Sequence, residues 1–196
     1  MKIDIILMAA GNSTRFGENK LLYNFKGKTL FEIALDNIIE GFSNSEHLWS
    51  VIVVTQYNEI IDIVSKYKNK KNNNIYAVYS PESVNGVSFT VKNGLKNACG
   101  DFYMFAVCDQ PFMKSKSYLR LFNETLKSKK SIGTMIFEGQ EGNPVVFKNI
   151  YRDELLSLSG DRGGRNVLKK HRDEVYFCEA ENIEELLDAD TVEFFK

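Results

Sequence analysis

Two textures of hydrophobic pattern alternate along this chain. Short runs rich in β-branched and aromatic residues read as strands: Ile3–Met8, Val51–Thr55, Ile75–Tyr79, Phe102–Val107, Gly133–Phe137, Val145–Phe147 and Val175–Cys178. Stretches with apolar residues three and four apart read as helices: Thr29–Glu40, Asn58–Tyr67, Ser88–Ala98, Ser115–Ser128 and Arg165–His171. In the first of these, Leu30, Ile33, Ala34, Asn37, Ile38 and Gly41 trace one mostly apolar face. The first two strand runs are almost wholly apolar, as expected where both faces of a parallel sheet are covered. Four strand-then-helix units in succession predict right-handed crossovers and an open, mostly parallel α/β sheet. The rhythm loosens after residue 130, where GTMIFEGQEGNPVVF reads as a hairpin and an antiparallel excursion. The biased stretch KYKNKKNNN at residues 66–74 reads as a solvated loop, with a phosphate-binding patch as its alternative. In such sheets ligands bind beyond the carboxyl ends of the strands, so the residues after strands one, three and four are where chemistry is expected.

Length and composition narrow the picture. A chain of 196 residues is expected to form one domain. With 25 Lys and Arg against 26 Asp and Glu, the net charge of −1 argues against nucleic acid or an anionic membrane as partner. Three cysteines (Cys99, Cys108 and Cys178) leave one unpaired and none stands in C-x-x-C, so a disulfide framework or zinc knuckle is not expected. The apolar run Ile5–Ala10 follows Asp4 and is too short for a signal segment, and no stretch approaches the roughly 18 apolar residues of a membrane span. A cytoplasmic location is the expectation. His47 and His171 stand outside every motif.

The loop after the first strand is the least ordinary part of the chain. Residues 7–22 read LMAAGNSTRFGENKLL, with Gly11 and Gly17 bracketing a polar stretch and Lys20 following. A glycine-bearing turn after a buried strand lets backbone N–H groups approach a polyphosphate, and Arg15 and Lys20 would add fixed positive charge. The spacing excludes G-x-G-x-x-G, because no glycine stands between Gly11 and Gly17. It also excludes a P-loop, because Glu18 and Asn19 follow Gly17 where Lys and Ser or Thr would be required.

This segment resembles the nucleotidyltransferase signature L-x-A-G-x-S-x-R-M-G-x-x-K, with Phe16 in place of methionine. The signature belongs to the molybdenum cofactor cytidylyltransferases and guanylyltransferases of the MobA-like NTP transferase family, and more loosely to sugar-phosphate nucleotidylyltransferases. Four further segments keep the family's order. GVSFTVKNGL at 86–95 is similar to G-M-S-x-S-L-x-x-G-L, and Cys108–Asp109–Gln110–Pro111 to A-D-Q-P. GNPVVF at 142–147 is similar to G-x-P-V-x-F, and LSGDRGGRNVLKKH at 158–171 to L-x-G-D-x-G-A-R-x-L-L, with Gly164 in place of alanine. DADTVEFF at 188–195 resembles D-I-D-T-P-E-D, with Val192 in place of proline.

The resemblance implies a single domain over residues 1–196 with a three-layer, Rossmann-like nucleotidyltransferase fold. The cytidylyltransferase type is the best match: Ala10 stands where the guanylyltransferase type carries a second glycine, leaving space better suited to a pyrimidine. The implied reaction transfers CMP from CTP to the phosphate of a molybdopterin-type cofactor, with pyrophosphate leaving. A phosphate acceptor is already a nucleophile, so the obstacle is electrostatic. At ~5 Å and an effective dielectric of ~20 each like-charge pair costs about 3 kcal/mol. Mg²⁺ held by Asp109 and Asp161 would answer this, with Arg15 and Lys20 neutralising the phosphates. Arg15, Lys20 and Asp109 are the expected catalytic residues. Ala9, Ala10, Gly11, Asn12, Ser13, Thr14, Arg15, Lys20, Gly86 and Ser88 are expected to bind nucleotide, with Ser88 also capping its helix so that free N–H groups face the ligand. Arg165 is open between packing, an ion pair and phosphate contact. Asp188 and Asp190 are read as helix caps, and Cys108 as a small buried residue. The partners implied are CTP or another NTP, the phosphorylated pterin and a molybdoenzyme that receives the product. The alternatives are a GTP-using guanylyltransferase, a sugar-phosphate nucleotidylyltransferase and a non-catalytic carrier that binds the cofactor or a nucleotide.

Overall fold

The computed structural model describes residues 1–13, 16, 19–68 and 74–195; Thr14, Arg15 and most of the basic 66–74 stretch lie outside the described residues. Strand β1 (Lys2–Ala9) leads through a loop to a short hairpin, β2 (Asn24–Phe25) and β3 (Lys28–Thr29), and then to helix α1 (Leu30–Phe42). Next come β4 (Leu48–Thr55), α2 (Asn58–Lys68), β5 (Ile75–Tyr79), α3 (Val87–Lys96) and β6 (Phe102–Val107). The chain continues with α4 (Ser115–Ser128), β7 (Ile132–Phe137), β8 (Gln140–Lys148), α5 (Arg152–Leu156), α6 (Gly164–Lys170) and β9 (Val175–Glu179). The main sheet has seven strands in the order β5-β4-β1-β6-β8-β7-β9. All run parallel except β8, which is antiparallel to both its neighbours.

Three layers follow from strand alternation. Ile3, Ile5 and Leu7 of β1 face one side, where Phe31 and Leu35 of α1 and Leu121 and Phe122 of α4 cover them. Ile6 faces the other side with Ile52 and Val54, beneath Val91 and Leu95 of α3 and Val167 of α6. Helix α3 sits so close to β1 that a Cβ at Gly94 would lie 2.5 Å from Ile6 Cγ2. Helix α1 begins at a capping box: Thr29 Oγ1 accepts the Glu32 amide while Glu32 Oε2 accepts the Thr29 amide. Among the described residues no helix is long and apolar enough to cross a membrane.

The structure refines the sequence expectation in three places. The antiparallel excursion does not hang from an edge: β8 is inserted between β6 and β7, in the interior of the sheet. The β2–β3 hairpin was not foreseen, because two-residue strands are too short to show a period. Its turn is Lys26–Gly27, both at positive φ, the backbone a two-residue hairpin requires. Ser88 does not cap α3: Gly86 is the cap residue, without a side-chain hydrogen bond, and Ser88 is buried inside the first turn.

Candidate active site

Strands β1 and β6 are neighbours, so the loops at their carboxyl ends open side by side. From β1 the chain runs through Ala10–Ser13. Ser13 adopts φ 50, and its side-chain Oγ accepts the Lys20 backbone amide at 3.1 Å while its carbonyl accepts the Phe16 amide. These two bonds close the loop on itself. Lys20 therefore enters a 3-10 turn, Lys20–Leu22, which Asn19 caps by accepting the Leu21 amide. From β6 comes Asp109. Lys20 Nζ lies 2.6 Å from Asp109 Oδ2 and 3.4 Å from Asp190 Oδ1. Burial pulls the Lys20 ammonium down, but the two carboxylates outweigh it and hold it above the ordinary lysine value.

Two adjoining cavities of about 270 Å³ each share Gly11, Asn12, Lys20 and Asp109. The first extends over Ala10, Gly86, Val87 and Thr90 to Asp161; the second reaches Ser13, Phe16 and Asp190. Among the described residues a Cβ at Gly11 would meet nothing within 4 Å, so none of their contacts demands glycine there. What the missing side chain leaves is an open face of backbone beside the cleft, suited to close approach by a phosphate. At Gly86 the reason is internal: φ is +134, and a Cβ would lie 2.6 Å from the Gly160 carbonyl and 2.9 Å from Asp161 Oδ1. The helix start and the G-D-R-G-G turn are thus in contact, which brings Asp161 to the cavity wall.

The expected residues separate into those the cleft gathers and those it does not. Lys20, Asp109, Asp161, Ala10, Gly11, Asn12, Ser13 and Gly86 line one cavity or the other. Ala9 belongs to the core beneath α1 and is absent from the lining of either cavity. Ser88 is likewise absent from the lining, and its amide is taken by the Gly160 carbonyl at 3.0 Å rather than left for a ligand. The Asn12 side chain accepts from Gln56 Nε2 and donates to the Val84 carbonyl. Arg165 donates to the Glu141 carbonyl at 2.6 Å, which ties α6 to β8. Cys108 is buried, and burial pushes its thiol well above the ordinary value. Arg15 and Thr14 lie outside the described residues.

Asp188 and Asp190, expected as caps, are instead drawn to the D-Q-P motif. Gln110 Nε2 donates to Asp188 Oδ1 at 2.9 Å and the Ala189 amide to the Asp109 carbonyl at 2.7 Å, which delivers Asp190 to Lys20. Burial, and then the charge of Asp109, push the Asp188 carboxyl up. Sequence reasoning also passed over the end of β4. There Gln56 Nε2 donates to the Ala10 carbonyl and Tyr57 Oη to the Gly11 carbonyl, so both side chains brace the loop from behind. Their position after a parallel strand was the available signal.

Among the described residues no three His, Cys, Asp or Glu side chains gather as a metal cage. The donor set suits a different arrangement: a hard cation such as Mg²⁺ takes one or two carboxylates and completes its shell with water and substrate phosphates. Asp109 and Asp161 on one cavity fit that demand.

Fold and cleft together define a class. The model of the MobA-like NTP transferase domain matches residues 5–175, and the chain belongs to that family of nucleotidyltransferases. More particularly, it is 26% identical over 187 residues to a probable molybdenum cofactor guanylyltransferase of Bacillus subtilis (strain 168), covering 93% of this chain and 85% of that one. It is 24% identical over 195 residues to the molybdenum cofactor cytidylyltransferase of Escherichia coli (strain K12), covering 98% and 93%. The fold is similar to that of a nucleotidyl transferase from Methanothermobacter thermautotroptrophicus, with a TM-score of 0.77, 19% identity and coverage of 97% and 93%.

Proposed function

We propose that this chain transfers CMP from CTP to the phosphate of a molybdopterin-type cofactor, releasing pyrophosphate. The observation that carries the reading is the 2.6 Å approach of Lys20 to Asp109 where the two cavities meet, beside the open backbone of Gly11. A cation and a carboxylate that reach one point can serve a polyphosphate and the cation that travels with it. The two relatives' names supply the acceptor class.

In the proposed reaction an acceptor phosphate oxygen bonds to the α-phosphorus, and the bond to the oxygen bridging α and β breaks. No general base is required, since the acceptor is already anionic. Lys20, positively charged throughout the neutral range, offsets charge on the departing pyrophosphate, and Arg15 is assigned the same task. The backbone from Ala10 to Ser13 receives the phosphates. Mg²⁺, held by Asp109 and Asp161, would neutralise charge at the α-phosphate. Binding and orientation fall to the chain's own groups. Ala10, at 4% exposure, puts a methyl group on the wall of the first cavity and favours a pyrimidine over a larger base. The product would pass to a molybdoenzyme.

The test is pyrophosphate release with each of the four NTPs and Mg²⁺, with and without reduced molybdenum cofactor. CTP-dependent release that requires the pterin is the expected result. Release with GTP alone would move the chain to the guanylyltransferase type. Release with CTP and a sugar phosphate, but none with the pterin, would overturn the acceptor.

A further inference from the structure

The segment 188–195 does more than deliver Asp190. At one end it is fastened to the D-Q-P motif by the Ala189 and Gln110 hydrogen bonds. At the other, Phe194 and Phe195 join a continuous set of rings. Phe195 stacks on Tyr23 at 4.9 Å and packs on Phe25 at 4.8 Å; Phe194 packs on Phe112 at 5.7 Å. Tyr23 in turn meets Phe16 edge to face at 5.3 Å. Phe16 lies inside the glycine-bearing loop, between Ser13 and Lys20, and its ring lines the second cavity. Phe16, which stands where methionine is usual in the family's pattern, and Phe195 therefore meet through one shared ring, Tyr23. The segment is a strap beside the second cavity, which Asp190 lines, anchored to the carboxylate side at 188–189 and to the loop side at 194–195.

We infer that this strap holds Phe16 and Lys20 in place for nucleotide binding, with Phe195 and Tyr23 as positioning residues that act through them. The inference rests on the nucleotide reading above and deepens it. Tyr23 carries the coupling through its ring, while its backbone carbonyl separately accepts the Leu30 amide at 3.1 Å. Loss of Phe195 leaves both core clusters intact, because it belongs to neither.

The experiment is calorimetric titration of Mg·NTP into the wild-type chain and its variants, with KM and kcat and a thermal melt for each. Phe195→Ala is expected to weaken NTP binding and raise KM about tenfold, the scale of a lost aromatic contact, with kcat and the melt nearly unchanged. Phe195→Trp should restore binding, and Tyr23→Phe, which keeps the ring, should match wild type. Phe16→Ala combined with Phe195→Ala should cost less than the sum of the two, because Phe195 acts through Tyr23 on Phe16. Unchanged NTP affinity in Phe195→Ala, or losses in the pair that simply add, would overturn the strap. Losses that track a falling melt across all variants would overturn it too, since a merely structural role predicts that pattern. A wild-type chain that binds no NTP would overturn the nucleotide reading on which the strap rests.

Discussion

Two aspartates, one at each end of the central strands, show how differently this sheet treats its two ends. Asp4, near the start of β1, is 1% exposed and takes three hydrogen bonds of 2.6 Å, from Ser50 Oγ and from the Cys99 and Gly100 amides. Its Oδ1 lies 3.6 Å from Lys2 Nζ. Both carboxylate oxygens are engaged, and the network ties β1 to β4 and to the turn before β6. Asp109, just past the end of β6, lies on two cavities with a lysine at 2.6 Å. A saturated carboxylate is a fastener, whereas one that faces open space beside a cation is available to a ligand. The lesson is that charge pairing alone does not mark a site; what marks it is pairing across a cavity.

That contrast can be broken by substitution. Asp109→Ala should have the largest effect, lowering turnover by more than about 10³ while the melt stays near wild type, because it removes both a proposed metal ligand and the Lys20 partner. Steady-state kinetics beside a thermal melt would check it. Asp4→Ala should do the reverse. Leaving the buried Gly100 amide, the partly buried Cys99 amide and a hydroxyl without their acceptor should cost roughly 3 kcal/mol of stability by denaturant titration, with turnover per folded molecule retained.

Gly11→Ala sharpens the comparison on the ligand side. The added methyl enters open space, so the melt should not move, while NTP affinity should fall by about tenfold if backbone must approach phosphate there. The smallest effect is electrostatic. In metal-free protein the Lys20 ammonium should titrate above 10.5, the ordinary lysine value. The charged form is thus favoured by folding, so its stabilising contribution is present at lower pH and is lost as pH rises through the raised value. Asp190→Asn removes one of the two carboxylates that oppose burial and should lower that titration, as read by nitrogen NMR of the side chain.

Much of this was legible in the chain itself, for local reasons. The apolar runs of β1 and β4 are properties of short segments, and the structure contains them, β4 starting at Leu48 rather than Val51; the face predicted for α1 holds Leu30, Ala34 and Ile38 but passes over Phe31, Leu35 and Phe42, which the core buries. Lys20, Asp109 and Asp161 stood out through the motifs they share with the family, and the structure places all three on one cavity. What the pattern could not carry was arrangement. That β8 lies inside the sheet is a matter of which strands pair, and neither β7 nor β8 advertises its neighbours. Ser88 looked like a cap because serine commonly caps, but the conformation of Gly86 moved the helix start one residue earlier. Asp188 and Asp190 looked like caps for a similar reason, whereas their roles come from Gln110 and Lys20, far away in sequence. Gln56 and Tyr57 carry no motif; only the pairing of β1 with β4 puts them behind the loop.

The central claim is that the Lys20–Asp109 end of the sheet is a nucleotidyl-transfer site and the Asp4 end is structural. Turnover per folded molecule of Lys20→Ala, measured with CTP, Mg²⁺ and reduced molybdenum cofactor beside Asp4→Ala, tests it most directly. The account predicts that Lys20→Ala folds as wild type and loses about 10²–10³ in turnover, while Asp4→Ala loses stability and keeps its rate. A folded Lys20→Ala chain with near-normal turnover would contradict it.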